Sequence, residues 1–307
     1  MVKTTKKGRV IFTFIKCIIL ICFLFALYFQ LKRVPDLGIN KLVFQAHYFL
    51  LAIALTPLNW YVEWKKWLLT LKENNLAQKN ALTPFFTGMI SGFLTPGFPG
   101  NFLGRIYYYE KSKRIKLSAY IQISNFSQLL TSLIFGYIAL LVLWNNNLVN
   151  ELNELPKTYT FAIIVAIFLI IFLLALKKQA VQLITKGFLL KTKIDIKGIF
   201  RFLYKLVIAS TLRHFIFSLQ FLLILLAFGI DFNVYLVLWI WLSYFVVTLT
   251  PTLLFGKIIV RDSITIAVFE LGGYEVLPVL ISSISIWIVN VLSPTVIAWY
   301  KLKLQNE

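Results

Sequence analysis

Charged residues are scarce in this sequence. They make up 14% of its 307 residues, against about 25% in a typical soluble domain. Cysteine and histidine occur only twice each. Cys17 and Cys22 share one apolar segment, and His47 and His214 are far apart, so neither a disulfide framework nor a metal site is expected. No phosphate-binding loop, dinucleotide motif or hydrolase motif is present. We therefore expect no metal, no cofactor and no soluble enzyme domain.

Apolar and basic residues are abundant instead. Hydrophobic residues make up 59% of the chain, and the mean hydropathy is +0.81. The net charge of +19 comes from 31 Lys and Arg against 12 Asp and Glu. Most of the basic residues lie in short loops between apolar segments, where they set orientation and meet anionic lipid headgroups rather than nucleic acid. The composition predicts an all-α polytopic membrane protein, with residues 1–307 forming one transmembrane domain.

The segment at residues 82–116, LTPFFTGMISGFLTPGFPGNFLGRIYYYEKSKRIK, contains an interrupted apolar run. Each half is shorter than the roughly 20 residues needed to span a bilayer as a helix. Proline and glycine interrupt helices, and such residues cluster here: Pro96, Gly97, Pro99 and Gly100, followed by Asn101. The pattern predicts a broken helical hairpin, with a kinked helix and a loop as the alternative. Irregular backbone at membrane depth is tolerated where it is buried in protein or lines a wet cavity, so this break is a candidate binding site.

A second segment repeats the pattern at residues 236–273. It has an apolar run, a Thr-Pro step at Pro251, then Gly256 and Arg261. Pro96 precedes Arg105 by nine residues, and Pro251 precedes Arg261 by ten. Paired interrupted segments in corresponding parts of two halves are typical of transporter binding sites.

Loop charge predicts the membrane topology. Full spans are expected at residues 10–29, 44–61, 117–144, 159–176, 206–228 and 276–299, with two broken re-entrant hairpins between them. The connector at 177–205 has eight basic residues and one acidic residue, so we place it in the cytoplasm, either along the inner leaflet or as a solvated loop. Both termini are then cytoplasmic, and the hairpins enter from opposite faces of the inner (cytoplasmic) membrane. The chain would cross the membrane six times, with residues 42–176 and 206–303 as the halves of an inverted repeat; the alternative is eight full crossings.

Ionisable residues at membrane depth are functional candidates by default because they are costly to insert. Arginine grips phosphate with a planar fork, and a helix that restarts after a break offers free backbone amides to the same anion. We predict that a lipid phosphate headgroup is bound by Arg105, Arg261, Asp262, Lys257 and Asn101. The alternatives are snorkelling of both arginines to the interface and a self-satisfied Arg261–Asp262 pair.

Other polar residues have weaker interpretations. Gln122, Asn125 and Gln128 share one helical face and either line the cavity or form hydrogen bonds between helices. Arg213 and His214 are expected at the interface. Glu270 and Asn290 have no predicted role.

Two motifs resemble the flippase-like transmembrane family that includes the membrane region of lysylphosphatidylglycerol synthases. They are TPGFPGNFLGR, with Arg105, and FGKIIVRD, with Arg261 and Asp262. The run Glu63-Trp64-Lys65-Lys66-Trp67 looks like the basic and aromatic end of the family's second span. The chain departs from the family in having Asn101 where Glu is usual. It also has Ser124, Asn125 and Gln128 where the family's third span carries charged residues.

The resemblance implies a non-enzymatic flippase-like protein that translocates an anionic phospholipid or a lipid-linked glycan. Aminoacyl transfer in the larger relatives is attributed to a separate soluble domain, which we do not expect within these 307 residues. Two alternatives are a lipid-modifying transferase and a non-transporting membrane partner of a glycosyltransferase.

Overall fold

The computed structural model describes residues 43–77, 80–95, 99–146, 196–250 and 256–304. Within these ranges all regular structure is helical, which confirms the predicted all-α class. Several predicted features lie outside the described residues: the spans at 10–29 and 159–176, residues 177–195 of the connector, and the break residues Pro96, Gly97 and Pro251.

Ten α-helices lie within the described ranges. They are α1 (Ala46–Ala54), α2 (Thr56–Glu73), α3 (Leu82–Leu94), α4 (Pro99–Ile106), α5 (Lys111–Asn145), α6 (Ile196–Ala227), α7 (Val234–Leu249), α8 (Gly256–Leu271), α9 (Val276–Trp287) and α10 (Ser293–Leu304). By length and composition, three of these stretches can cross a membrane: Lys111–Asn145, Phe200–Ala227 and Val276–Leu304. They coincide with the spans predicted at 117–144, 206–228 and 276–299.

The apolar segment predicted as a span at 44–61 is divided into two helices. Helix α1 ends at Ala54, and α2 begins at Thr56 with Pro57 in its first turn. Proline is favoured at that place because its missing N–H would have no helical partner. Helix α2 then continues to Glu73, well past the predicted end, and so carries the whole basic and aromatic run.

Both interrupted segments break at a threonine that precedes a proline. Thr95 ends α3 in an extended conformation, and Thr250 ends α7 in the same way. The cause is steric, since a following proline disfavours helical backbone angles. Each threonine hydroxyl donates to the carbonyl four residues earlier, at 2.6 Å to Ser91 and 2.8 Å to Val246. The two helix ends therefore have the same local chemistry.

Helices α3 and α4 form an antiparallel pair held at short range by glycines. A Cβ placed on Gly104 would lie 2.5 Å from Ser91 Oγ and 2.8 Å from the Thr87 carbonyl oxygen. One placed on Gly88 would lie 2.5 Å from Arg105 Cγ. The absence of side chains at these glycines lets the two backbones approach, and this approach holds Arg105 against α3.

Apolar clusters hold the described helices together, and two of them are the largest. The larger one packs α5 to α9 through residues such as Leu140, Phe221, Trp239, Phe269 and Val279, all at most 4% exposed. The smaller one joins α2, the α3–α4 pair and α5, and it includes Trp67, Phe85 and Ile121. Buried polar side chains, including Asn59, Lys66 and Arg105, lie among the helices that these clusters bring together.

A π-helical turn, Ile288–Leu292, separates α9 from α10. Pro294 follows it and cannot donate to the carbonyl of Asn290, so a regular α-helix would lose a bond there. A widened turn accommodates such a loss. Helix α10 packs against α3, and the rings of Trp287 and Phe93 are 6.0 Å apart. The last helices thus contact the first hairpin.

Candidate functional site

Four charged side chains from α2, α4 and α6 meet at one place, which we call the Glu63 cluster. Glu63 Oε1 accepts from Arg105 Nη2 at 3.1 Å, and Glu63 Oε2 accepts from Arg213 Nη1 at 3.1 Å. Lys66 Nζ is 4.0 Å from Glu63 Oε2. With three cations and one anion, the cluster carries an excess of two positive charges. Buried charge without a counterion is costly, so the cluster favours an anion.

Burial within the Glu63 cluster is graded. The side chains of Arg105 and Lys66 are 6% and 3% exposed, whereas those of Glu63 and Arg213 are 22% and 32% exposed. The cluster is therefore open on the side of Arg213 and closed on the side of Lys66. An anion approaching from the open side meets Arg213 first, and Arg105 lies deeper.

Arg105 is held by aromatic rings as well as by Glu63. Its guanidinium carbon lies 5.2 Å from the Trp67 ring centre and 5.1 Å from that of Phe85. These distances are within the range of cation–π attraction. Its Nε is buried and has no hydrogen-bond partner among the described residues. Arg105 thus has an unused buried donor next to the carboxylate of Glu63.

Lys66 occupies the closed side of the cluster. Its Nζ donates to Ser210 Oγ at 2.9 Å and to the Ser124 carbonyl oxygen at 3.4 Å. The hydroxyls of Ser127 and Ser210 are 2.8 Å apart. Because these partners come from α5 and α6, the lysine ties three helices together while its charge stays next to Glu63.

Three amide side chains, Asn59, Gln220 and Asn290, form a network beside the cluster. Arg213 Nε donates to Asn59 Oδ1 at 3.0 Å, and Asn59 Nδ2 donates to Asn290 Oδ1 at 2.9 Å. Asn290 Nδ2 donates in turn to Gln220 Oε1 at 3.1 Å. This amide network links Arg213 to the π-helical turn before α10. Asn290, which had no predicted role, is a member of it.

Arg261 and Asp262 form a separate, self-contained pair. Both Nε and Nη2 of Arg261 donate to Asp262 Oδ1, and Nη2 also donates to the Ser283 carbonyl oxygen at 2.9 Å. Ser283 Oγ donates to Asp262 Oδ1 at 2.6 Å. The charges of this Arg261 pair cancel, as expected from the alternative of a self-satisfied pair.

The remaining predicted site residues that the structure describes pack against a neighbouring helix or begin one. Asn101 packs against Gly92, whose added Cβ would lie 3.0 Å from Asn101 Cβ. Gly100 packs on Ser91 and Thr95. Pro99 and Gly256 begin α4 and α8, and the side chain of Lys257 lies outside the described part of the chain.

On α5 the residues of the predicted polar face differ in burial, and Asn125 and Gln128 are half-buried. Gln122 is exposed, whereas Ser124, Ser127 and Thr131 are at most 9% exposed. Gln128 Oε1 is buried without a partner among the described residues. The serine and threonine face, rather than the glutamine face, thus contacts the helices around Lys66.

Sequence reasoning did not assign Glu63, Lys66, Asn59 or Gln220 to a site, and it favoured an interfacial position for Arg213. The missed signal was the spacing of the polar residues along α2. Residues 59, 63, 66 and 70 of α2 are all polar and recur every three to four positions, which places them on one helical face. A polar stripe of this kind, in a helix otherwise rich in tryptophan and leucine, indicates contact with other polar groups. His214, beside Arg213, is 3% exposed and stacks on Phe135.

The fold and the buried charges define an integral membrane protein whose helices surround a cationic cluster. The chain matches the family model described as the lysylphosphatidylglycerol synthase TM region over residues 12–298. It therefore belongs to that family, which confirms the resemblance drawn from its motifs. No curated protein and no solved structure matches it.

Proposed function

We propose that this membrane protein of the lysylphosphatidylglycerol synthase type acts as a flippase-like transporter. It binds the phosphate of an anionic phospholipid or of a lipid-linked glycan and moves that lipid across the inner membrane. The supporting observation is the Glu63 cluster, in which two arginines and a lysine face a single carboxylate. A phosphate accepts hydrogen bonds from arginine forks and offsets the excess positive charge.

The first hairpin suits movement of the bound group. Arg105 lies on α4, a helix of eight residues that follows a proline and glycine break. Glycines on both helices lie at the contact between α4 and α3. We propose that both termini are cytoplasmic, that the two interrupted segments are re-entrant hairpins of an inverted repeat, and that α4 shifts relative to α3 during transport.

A binding role is favoured over chemistry by the state of the acidic side chains. General acid–base catalysis needs a carboxyl or imidazole group positioned toward a substrate. Glu63 is bonded to two arginines, and Asp262 is bonded to Arg261 and Ser283. We therefore propose a transporter without catalytic residues, whose partner is the lipid itself.

The test is lipid movement in liposomes that contain the purified full-length protein. The probe is fluorescent short-chain phosphatidylglycerol, and its exposure to an external quencher is followed over time. Loss of one charged hydrogen-bond partner is worth about 1.5–3 kcal/mol. Arg105→Ala and Arg213→Ala should therefore each slow exposure at least about tenfold relative to the wild type.

The matched control is Arg201→Ala, which removes an exposed arginine from the same helix as Arg213. It should leave the rate unchanged. Equal rates for wild type, Arg105→Ala and Arg213→Ala would refute the proposal. Purification of a stoichiometric glycosyltransferase with a lipid-free, inactive protein would favour the scaffolding alternative.

A further inference from the structure

The position of Glu63 resembles that of a ligand. One carboxylate lies between two guanidinium groups that come from different helices, with one oxygen on each: Oε1 on Arg105 and Oε2 on Arg213. Two oxygens of a phosphate can make the same pair of charge-assisted bonds. The protein's own side chain thus occupies the place that an anionic headgroup would take.

The bonds made by Glu63 leave the arginines incompletely satisfied. A guanidinium group has five N–H donors, and Arg105 uses Nη2 on Glu63 while its buried Nε has no partner among the described residues. The cluster also keeps two positive charges in excess. A ligand with more oxygens and at least one negative charge would therefore gain contacts that Glu63 does not make.

Glu63 has a second partner to which it can move. Lys66 is one turn further along α2, with Nζ at 4.0 Å from Glu63 Oε2. Serine contacts from α5 and α6 fix this lysine. If Glu63 leaves both arginines, its charge still lies near Lys66. Its release therefore does not leave a buried carboxylate without a counterion.

We infer that Glu63 is an internal competitor for the anion: an arriving headgroup displaces Glu63 from Arg105 and Arg213, and the return of Glu63 expels the headgroup. This inference rests on the proposed function and adds the step that limits affinity. A transporter must release what it binds, and tight binding of a ground state slows turnover. Glu63 keeps the two arginines from holding the lipid too strongly.

The experiment compares wild type with Glu63→Gln, which keeps the shape of the side chain and removes its charge. Binding of fluorescent short-chain phosphatidylglycerol to the full-length protein in detergent is measured by anisotropy, with the same label on phosphatidylcholine as a headgroup control. Removal of a charged competitor should tighten phosphatidylglycerol binding about tenfold, the scale of one charged hydrogen bond. Lipid movement in liposomes should become slower.

The matched control is Glu73→Gln, which removes the same charge from the end of the same helix. It should leave the affinity unchanged. An equal gain from Glu73→Gln would overturn the inference, since it would show a general effect of net charge. Unchanged or weaker binding by a Glu63→Gln protein that elutes and melts like the wild type would also overturn it.

A second variant keeps the inference testable if Glu63→Gln does not fold. Glu63→Asp retains the charge beside Lys66 but is one methylene shorter, so it reaches the two arginines less well. Its affinity for the probe should lie above that of the wild type, and equal affinity would contradict the inference. The proposed function fails separately, if the wild type neither binds nor moves phosphatidylglycerol; a wild type that binds it with the same affinity as both variants overturns this inference alone.

Discussion

The two interrupted segments look alike in sequence, but their arginines have different partners. Both break at a Thr-Pro step with the same hydroxyl bond to the preceding turn. Arg105 of the first segment shares Glu63 with two other cations, and its buried Nε has no hydrogen-bond partner within the described ranges. Arg261 of the second has a carboxylate of its own next to it in the chain. The charge of Arg261 is thus offset by its neighbour, whereas Arg105 belongs to a cluster with an excess of positive charge.

The difference in charge balance gives the two arginines different expected roles, one in lipid binding and the other in fold stability. A buried pair whose charges cancel stabilises the fold only while both partners are present. A cluster with excess charge gains when a ligand supplies the missing anion. We therefore expect replacement of Arg261 to affect mainly folding and replacement of Arg105 to affect mainly lipid binding.

The largest effect on stability should come from Arg261→Ala. Asp262 is 1% exposed, and removal of its cation leaves a buried carboxylate whose one remaining partner in the described part of the chain is the Ser283 hydroxyl. Breaking a buried pair in this way costs about 3–5 kcal/mol. Arg105→Ala should cost about 1–2 kcal/mol, because Glu63 keeps Arg213 and Lys66. Unfolding by SDS in mixed micelles, followed by tryptophan fluorescence, measures both.

The control for this comparison is the double variant Arg261→Ala/Asp262→Ala. It removes both charges and should recover most of the stability lost in Arg261→Ala. A greater loss of stability from Arg105→Ala than from Arg261→Ala would contradict the distinction between the two arginines.

The sequence predicted the backbone of these segments better than their side-chain partners. The breaks follow from local rules, since a proline acts on the residue before it. The Arg261 pair is also local, because its two members are adjacent. The partners of Arg105 are not: Glu63 is 42 residues away in the chain, and the Glu63–Arg213 bond joins residues 150 apart. Only the packing of α2, α4 and α6 brings them together.

The run that contains Glu63 shows why that site was missed. Tryptophans among lysines typically mark a membrane interface, so the residue types of this run predict an interfacial position. In the structure, Trp67 is 1% exposed and Lys66 is 2% exposed. The same residue types serve an interface or a buried cationic site, and the helical spacing of the polar residues distinguishes the two.

A variant with a smaller expected effect tests how closely α3 and α4 must approach each other. Gly104→Ala would place a Cβ 2.8 Å from the Thr87 carbonyl oxygen, so the backbones must separate. Overpacking of this kind costs about 1–3 kcal/mol and should displace Arg105 from Glu63, with slower lipid movement. Gly92→Ala is the control, because its nearest contact is a side-chain carbon of Asn101 at 3.0 Å. Equal behaviour of the two variants would show that α3 and α4 tolerate separation.

The smallest expected effect concerns the amide network, which has no counterpart among the bonds of the Arg261 pair. Asn290→Ala removes the bonds to Asn59 and Gln220, yet Asn59 still accepts from Arg213. Side-chain hydrogen bonds between membrane helices are worth about 0.6 kcal/mol on average, so SDS unfolding should shift by about 1 kcal/mol. Because the network orients Arg213, phosphatidylglycerol binding should weaken about twofold to threefold. The control is Asn146→Ala, at the exposed end of α5, which should change neither the stability nor the binding affinity. A loss of binding as large as that of Arg213→Ala would instead place Asn290 in direct contact with the lipid and extend the site to the π-helical turn.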